Sequence, residues 1–490
     1  MITFSFSAQL AHLVPVRLST WISRTNSARL EQRPTLSELA QQDEARLPFF
    51  VHESVVARKY LQLLGLLDWS RFPDRPDLRF WPDCRPLPYA TFAAAYLVKL
   101  DQHLPYVADL RQYLVEHPAL VWMLGFPLVT SSAFPWGFDV EASLPTHRHL
   151  SRVLRVLPNA TLQFLLDETV RLLQAELGDA AHNFGDCISL DTKHIIAWVK
   201  ENNPKAYIKD RYDKTKRSSG DPDCRLGCKR RTNQRRAPSA TLDETPATNS
   251  IPANTVEVGE FYWGYGSGIV VTQVPDWAEV VLAELTQPFD QPDVSYFKPL
   301  MAQTERRLGH APHFGAFDAV FDAFYVYEYF ADAEGLAAVP LVERGGHAKR
   351  TFSADGRPLC AANLPMFLRY TFRSRKSLIE HECGRYAGPL RYPDKTGEAC
   401  PIRYKNWRKG GCTTTMATSP GARIRYQLDR ESEAYHVIYK QRTASERISS
   451  QAVDLGIERP KLRNGQSIIN HNTLTYVLIN LHALQRIRQR

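Results

Sequence analysis

The apolar period of this 490-residue chain changes sharply near Gly178, and that change limits what it can fold into. From Tyr89 to Leu177 apolar residues recur at three-and-four spacing, in TFAAAYLVKLDQHL, VADLRQYLVEHPALVWMLG and LQFLLDETVRLLQAELG. Such spacing predicts helices that bury one stripe, the last of them halted by Gly178. CISLD (187–191) and HIIAWV (194–199) then have the short apolar runs of two strands, read as a hairpin. Strand character returns at FYWGYGSGIVVTQV, HFGAFDA and LAAVPLVE, alternating with helical patterns at SYFKPLMAQTERRLG and VFDAFYVYEYFADAEG. An all-helical stretch followed by mixed strands and helices predicts an α/β core behind a helical domain.

The boundaries follow from these changes. Residues 1–49 form an N-terminal extension in which Thr35-Leu-Ser-Glu38 is a capping box. The helical domain spans 50–178, and 179–344 is the first part of the core, interrupted at 200–258. That interruption is a basic block followed by a Ser/Thr/Pro/Asn-rich one, with no periodic apolar face, so it reads as an exposed loop. Residues 345–438 form an irregular, β-rich insertion holding four cysteines. Residues 439–490 return to helix and finish the core, closing in SIINHNTLTYVLINLHALQRIRQR, read as an amphipathic helix with a basic end.

An apolar fraction of 44% and an aromatic fraction of 11% belong to a globular chain. A formal charge of +9 suits a polyanion, nucleic acid before membrane. No long apolar run predicts a membrane span, and the apolar N-terminus lacks the positive start of a signal peptide. Eight scattered cysteines do not form a secreted disulfide framework, so a reducing cytoplasm is expected.

Three acids draw attention. Asp191 and Asp318 each end a predicted strand, where sites gather in open α/β sheets. Asp322 lies about one helical turn past Asp318, too far to share an ion with Asp191. If 439–446 is helical, Tyr439, Arg442 and Glu446 share one stripe. Converging carboxylates repel unless a cation sits among them, and Mg²⁺ prefers oxygen ligands. Each acid also has a plainer role. Asp191 could cap a turn before His194, Glu446 could close a Thr443-Ala-Ser-Glu446 capping box, and Asp322 could serve a helix dipole for roughly 0.3–1 kcal/mol.

In order along the chain, SLDTKH, FDAVFDAFY and Tyr439-x-x-Arg442-x-x-x-Glu446 resemble insertion-sequence transposases of the DDE type, in the group with a Tyr-Arg-Glu signature. DPDCRLGCK, EGLAAVPLVERGG and ERPKLR resemble segments that follow the three acids. YLVEHPALVWMLG and SLPTHRHLSRVLR resemble the helical domain ahead of the core, so the likeness covers residues 85–490. The resemblance implies a ribonuclease-H-like mixed-sheet core in which Asp191, Asp318 and Glu446 hold two Mg²⁺ or Mn²⁺ ions. It implies that Arg442 contacts phosphate near the scissile bond and that Tyr439 braces or stacks on the strand. The implied activity is cutting of element ends and transfer of the 3′-hydroxyl to target DNA, by a nucleoid-associated protein paired with a second copy in a synaptic complex. Two departures stand out: Val453 where the group often has Lys, and FYWGYGSG where it has a more regular Gly-Tyr-Lys strand. A metal-dependent nuclease with the same core but no strand transfer remains open, as does a non-catalytic DNA-binding descendant, for which Val453 is the only hint.

Two further sets complete the expectations. Cys360, Cys383, Cys400 and Cys412 match a tetrahedral zinc site in number but lack a CxxC knuckle, so zinc and free thiols both stay open. Arg148 and Arg152, ahead of and within a predicted helix, are expected to recognise element ends. Lys229, Arg230, Arg231, Arg235 and Arg236 are expected to contact phosphate backbone without reading bases.

Overall fold

Helix breaks and caps in the N-terminal half follow local chemistry. The computed structural model describes residues 35–42, 46–75, 87–178, 183–229, 260–341, 351–353, 355–376, 379–389, 400–402 and 412–490. Single turns aside, its first helices are α1 (Leu36–Gln41), α2 (Val55–Leu64), α3 (Tyr89–Asp101), α4 (Val107–Glu116), α5 (Pro118–Met123), α6 (His147–Val156) and α7 (Asn159–Leu177). The Thr35–Glu38 capping box forms as expected. VADLRQYLVEHPALVWMLG is two helices, not one, because His117 precedes a proline and is pushed to ψ 71°. Thr146 caps α6, and the helix turns Arg148, Arg152 and Arg155 to solvent.

The fold is mixed α/β, with a mixed sheet built from β1 (Cys187–Ile196), β2 (Arg225–Lys229), β3 (Glu260–Val274), β4 (Ala278–Pro288), β5 (Phe314–Phe317) and β6 (Leu336–Ala338). The order is β2-β3-β1-β5-β6, with β4 also pairing β3. β1 runs antiparallel to β3 and parallel to β5. The hairpin expected between residues 191 and 194 does not exist. β1 stays paired with β3 from Ile188 through Ile196, so Asp191 lies inside a continuous strand rather than at its tip. β4 was not foreseen, because its apolar run at 280–283 fits a buried helix as well as a strand.

The glycines of FYWGYGSG have a packing cause. Tyr296 lies across β3, and a Cβ on Gly266 or Gly268 would meet it at 2.5 or 2.4 Å. Its hydroxyl donates to the Gly266 carbonyl at 2.9 Å. Only glycine lets the ring lie this close to the strand.

The later helices are α8 (Phe297–Leu308), α9 (Phe324–Asp332), α10 (Pro420–Gln427), α11 (Glu433–Lys440), α12 (Arg442–Asp454) and α13 (Gly465–Arg488). α13 is not amphipathic: it is buried along almost its whole length, against α3, α6, α7 and β4. Its polar side chains, which read as a wet face, bond to neighbouring elements instead. Asn480 bridges the Val281 N–H and carbonyl at 2.9 Å each, and Asn470 donates to the Leu154 and Leu157 carbonyls at 2.8 Å each. Through α13 the N-terminal helices share one apolar core with the sheet, although the sequence divides them at residue 178.

The segment 200–258, expected to be an exposed loop throughout, includes β2 and two structural acids. Asp221 accepts from the Tyr265 hydroxyl, and Asp223 accepts from the Gly465 N–H at the start of α13. The insertion carries its own antiparallel sheet, β7 (Phe367–Lys376), β8 (Ile379–Ala387) and β9 (Thr413–Ala417), in the order β7-β8-β9. Helix resumes at Pro420, ahead of the expected residue 439.

One buried acid gives a pH prediction. Glu284 on β4 accepts from Gln163 at 2.5 Å and from Thr473, but burial pushes its carboxyl up to about 7. A raised carboxyl binds its proton more tightly in the folded state, so stability should fall as pH rises from about 4.5 to 7. Glu284→Gln should flatten that fall in urea titrations run across the same range. An unchanged slope in the variant would rule out Glu284 as its source.

Candidate functional site

Asp191 and Asp318 are brought together by the register of two parallel strands. β1 and β5 pair from Cys187↔Phe314 to Leu190↔Phe317, and each acid is the next residue on its strand. There the strands part, because Asp318 turns into a single 3-10 turn, its carboxylate accepting from the Ala319 N–H at 2.5 Å. Side chains alternate across a sheet, so Asp191 and Asp318 share the face that carries Cys187, Phe314 and Ala316. On that face pack Tyr435, Ile438 and Tyr439 of α11.

α12 completes the group. Tyr439, Arg442 and Glu446 form the expected stripe across the α11–α12 junction. The Arg442 guanidinium lies 6.0 Å from the Tyr439 ring centroid and donates to Glu446 at 2.5 Å. Tyr439 in turn stacks on Tyr435 at 5.6 Å and 11°. Glu446 does not cap a helix, since Thr443 sits inside α12 and its hydroxyl bonds the Lys440 carbonyl. Asp322 is elsewhere: Arg425 pairs with it, and the Tyr327 hydroxyl donates to it at 2.8 Å. Its side chain is 1% exposed, that of a buried, paired acid rather than of an open acid serving a helix dipole.

Electrostatics make the acids one unit. Burial pushes the Asp191 carboxyl up to about 6, and the Glu446 and Asp318 carboxylates add to the rise. The Thr192 N–H and the Arg442 guanidinium oppose it. Arg442 is raised by Glu446, Tyr439, Asp318 and Asp191 against the lowering effect of burial, so one cation serves several anions. A fourth acid, Asp293, escaped the sequence reading. Burial raises its carboxyl and Asp318 raises it further, while a hydrogen bond with Thr192 counters both. In the sequence it sits just ahead of the helical pattern SYFKPLMAQTERRLG, where nothing sets it apart from any other polar residue.

The donors fit a hard cation: they are all oxygens, and their negative charge exceeds what Arg442 can balance. They do not form a closed shell as placed, since Glu446 is engaged by Arg442. Among the described residues no group of three or more His, Cys, Asp or Glu is close enough to hold an ion.

The four cysteines do not form one zinc site. Burial raises the Cys412 thiol, and the neighbouring Cys360 and Cys400 raise it further. Cys383, however, pairs with Ala417 on β8–β9, whereas Cys412 precedes Thr413 at the other end of β9. That separation is roughly 13–17 Å at the usual strand rise, beyond any shared metal. Zinc needs a fourth ligand that the described residues do not supply.

Of the basic residues, Arg148 and Arg152 are exposed on α6 and Lys229 ends β2. Arg230, Arg231, Arg235 and Arg236 lie outside the described residues. No helix among the described residues is long and apolar enough to cross a membrane. No protein-family model, no curated protein and no solved structure matches this chain.

Proposed function

We propose that this protein is a DNA-cutting phosphoryl transferase of the DDE transposase kind, with a ribonuclease-H-like core. The observation that supports this reading is the placement of Asp191 and Asp318 one residue past the last β1–β5 pair, where the strands part, with Arg442 and Glu446 on the helix packed nearby. Asp191, Asp318 and Glu446 would hold Mg²⁺ or Mn²⁺, Glu446 leaving Arg442 to do so. Bound there, two such ions supply a polarised water or 3′-hydroxyl and neutralise charge on the phosphate. The chain's own part is positioning and charge. Arg442, once released from Glu446, would hold a phosphate oxygen, with Tyr439 of the Tyr435–Tyr439 stack at its side. The exposed Arg148, Arg152 and Arg155 of α6 offer a row of phosphate contacts, with element ends and target DNA as the partners. A second copy, in a synaptic complex, belongs to the same reading.

The test is strand cleavage of DNA bearing the element's own ends. Asp318→Asn and Glu446→Gln should each abolish Mg²⁺-dependent cutting while leaving the fold and DNA binding intact. If cut ends never join a target, the nuclease without strand transfer is the better reading. If wild-type protein binds ends but never cuts, the chain is a non-catalytic descendant.

A further inference from the structure

A second basic surface lies at the far end of β1. After Ile196 the chain leaves the sheet and presents Trp198, which is 40% exposed. The loop between α12 and α13 docks beside it, with the Ile196 N–H donating to the Glu458 carbonyl at 2.8 Å. From this loop the Arg463 guanidinium sits 4.7 Å from the indole centroid and Lys461 sits 6.0 Å away. Tyr106 meets Trp198 from another side at 6.1 Å and 67°. Trp198, Lys200, Arg459, Lys461 and Arg463 line a groove of about 340 Å³, and no carboxylate side chain lines it.

The cation–π contacts on Trp198 fasten the loop to the end of β1, but they leave the positive charges themselves unbalanced. Four like charges around one groove repel, and no described carboxylate pairs with any of them. The part of Trp198 that stays open to water, 40% of the residue, gains nothing from packing. Both costs are repaid by a ligand that is polyanionic and carries flat rings, as a nucleic acid strand does. A planar lipid surface meets a concave groove poorly, and an acidic peptide does not repeat a charge and a flat ring at every unit as a nucleic acid strand does.

We propose that this groove binds one strand of DNA, an unpaired base stacking on Trp198 while Lys200, Arg459, Lys461 and Arg463 hold the flanking phosphates. That the strand is DNA rests on the reading of the acid cluster above; the groove's chemistry stands without it. β1 and α12 pack together and connect the two sites. Trp198 lies seven residues past Asp191, so the sites are at most ~23 Å apart at the usual strand rise. Even at the ~3.4 Å axial spacing of stacked duplex DNA, a strand with a phosphate at Asp191 reaches the groove within about seven nucleotides, and an extended single strand needs fewer.

Fluorescence anisotropy with the full chain tests this, using a labelled single-stranded oligonucleotide and a blunt duplex of the same sequence over about 50–200 mM salt. Trp198→Ala should weaken single-strand binding roughly tenfold, leave the salt slope unchanged and spare the duplex. Trp198→Phe should restore most of the loss, which a merely misfolded loop would not allow. Arg459→Gln with Arg463→Gln should lower the single-strand salt slope by about 1.4, at ~0.7 per phosphate contact. Wild-type affinity in Trp198→Ala, or an equal loss on the duplex, overturns the stacking. Loss of binding to phosphatidylserine vesicles, with DNA binding untouched in the charge variants, would assign the groove to lipid and overturn the proposal. If groove variants lose binding as expected while wild-type protein never cuts DNA, the proposed function fails and this inference survives. If the groove variants cut normally and bind as wild type does, the proposed function survives and this inference fails.

Discussion

Asp191→Asn is expected to stabilise the ion-free protein at neutral pH and to abolish Mg²⁺-dependent strand cleavage. The folded protein raises this carboxyl from 3.8 to about 6, so ionising it costs more in the native state than in the unfolded chain. At about 1.36 kcal/mol per pH unit, the penalty reaches up to about 3 kcal/mol once both states are ionised. The sign follows from the raised value. The penalty is absent below about pH 4, grows between about pH 4 and 6, and is complete above that. Asparagine keeps the shape and can still accept from the Thr192 N–H, but it carries no charge. Urea unfolding in chelator should therefore find the variant more stable at pH 8 and level with wild type near pH 4. Excess Mg²⁺ should narrow the gap at pH 8 by stabilising wild type alone. A variant that is less stable at pH 8, or equally shifted at both pH values, would remove the electrostatic basis of the site.

How much of this was legible in the sequence depends on which contacts fix each element. Helices α3 and α7 and strand β3 could be read because each has a period or composition of its own. α13 was misread because its asparagines and threonines looked like a wet face, whereas they bond β4 and α6 across the core. β4 gave no clear period at all. At the site, the order of Asp191, Asp318 and Glu446 was visible, but what sets Asp191 beside Asp318 was not. It does not end its strand; its neighbour β5 ends beside it. Register between distant strands leaves no mark in either one alone. Asp293 was missed on the same ground, since only folding sets it against Thr192 and Asp318. The cysteine count suggested a tetrahedral site, and only the β8–β9 pairing shows Cys383 to lie apart.

The second large effect separates Asp318 from Asp322, which the spacing of FDAVFDAFY leaves easy to confuse. As an exposed early-helix acid, Asp322 would contribute roughly 0.3–1 kcal/mol. In the structure its side chain is 1% exposed, Arg425 Nε donates to it at 2.5 Å, Arg425 Nη2 makes a second bond, and Tyr327 makes a third. Arg425 is itself only 13% exposed. Asp322→Asn strands a buried guanidinium, and breaking such a pair from one side costs about 3–5 kcal/mol. Asp322→Asn and Arg425→Ala should therefore each lower unfolding free energy by that amount, and both should lose cleavage activity through instability. Activity assays alone would then mark Asp322 as catalytic. Removing both charges resolves this, because a buried pair replaced by apolar groups of similar volume often recovers its stability. Asp322→Leu combined with Arg425→Met should regain most of the lost free energy and cut DNA again, whereas no second change should rescue Asp318→Asn. A double variant that is fully folded yet cannot cut would make Asp322 the second acid and displace Asp318.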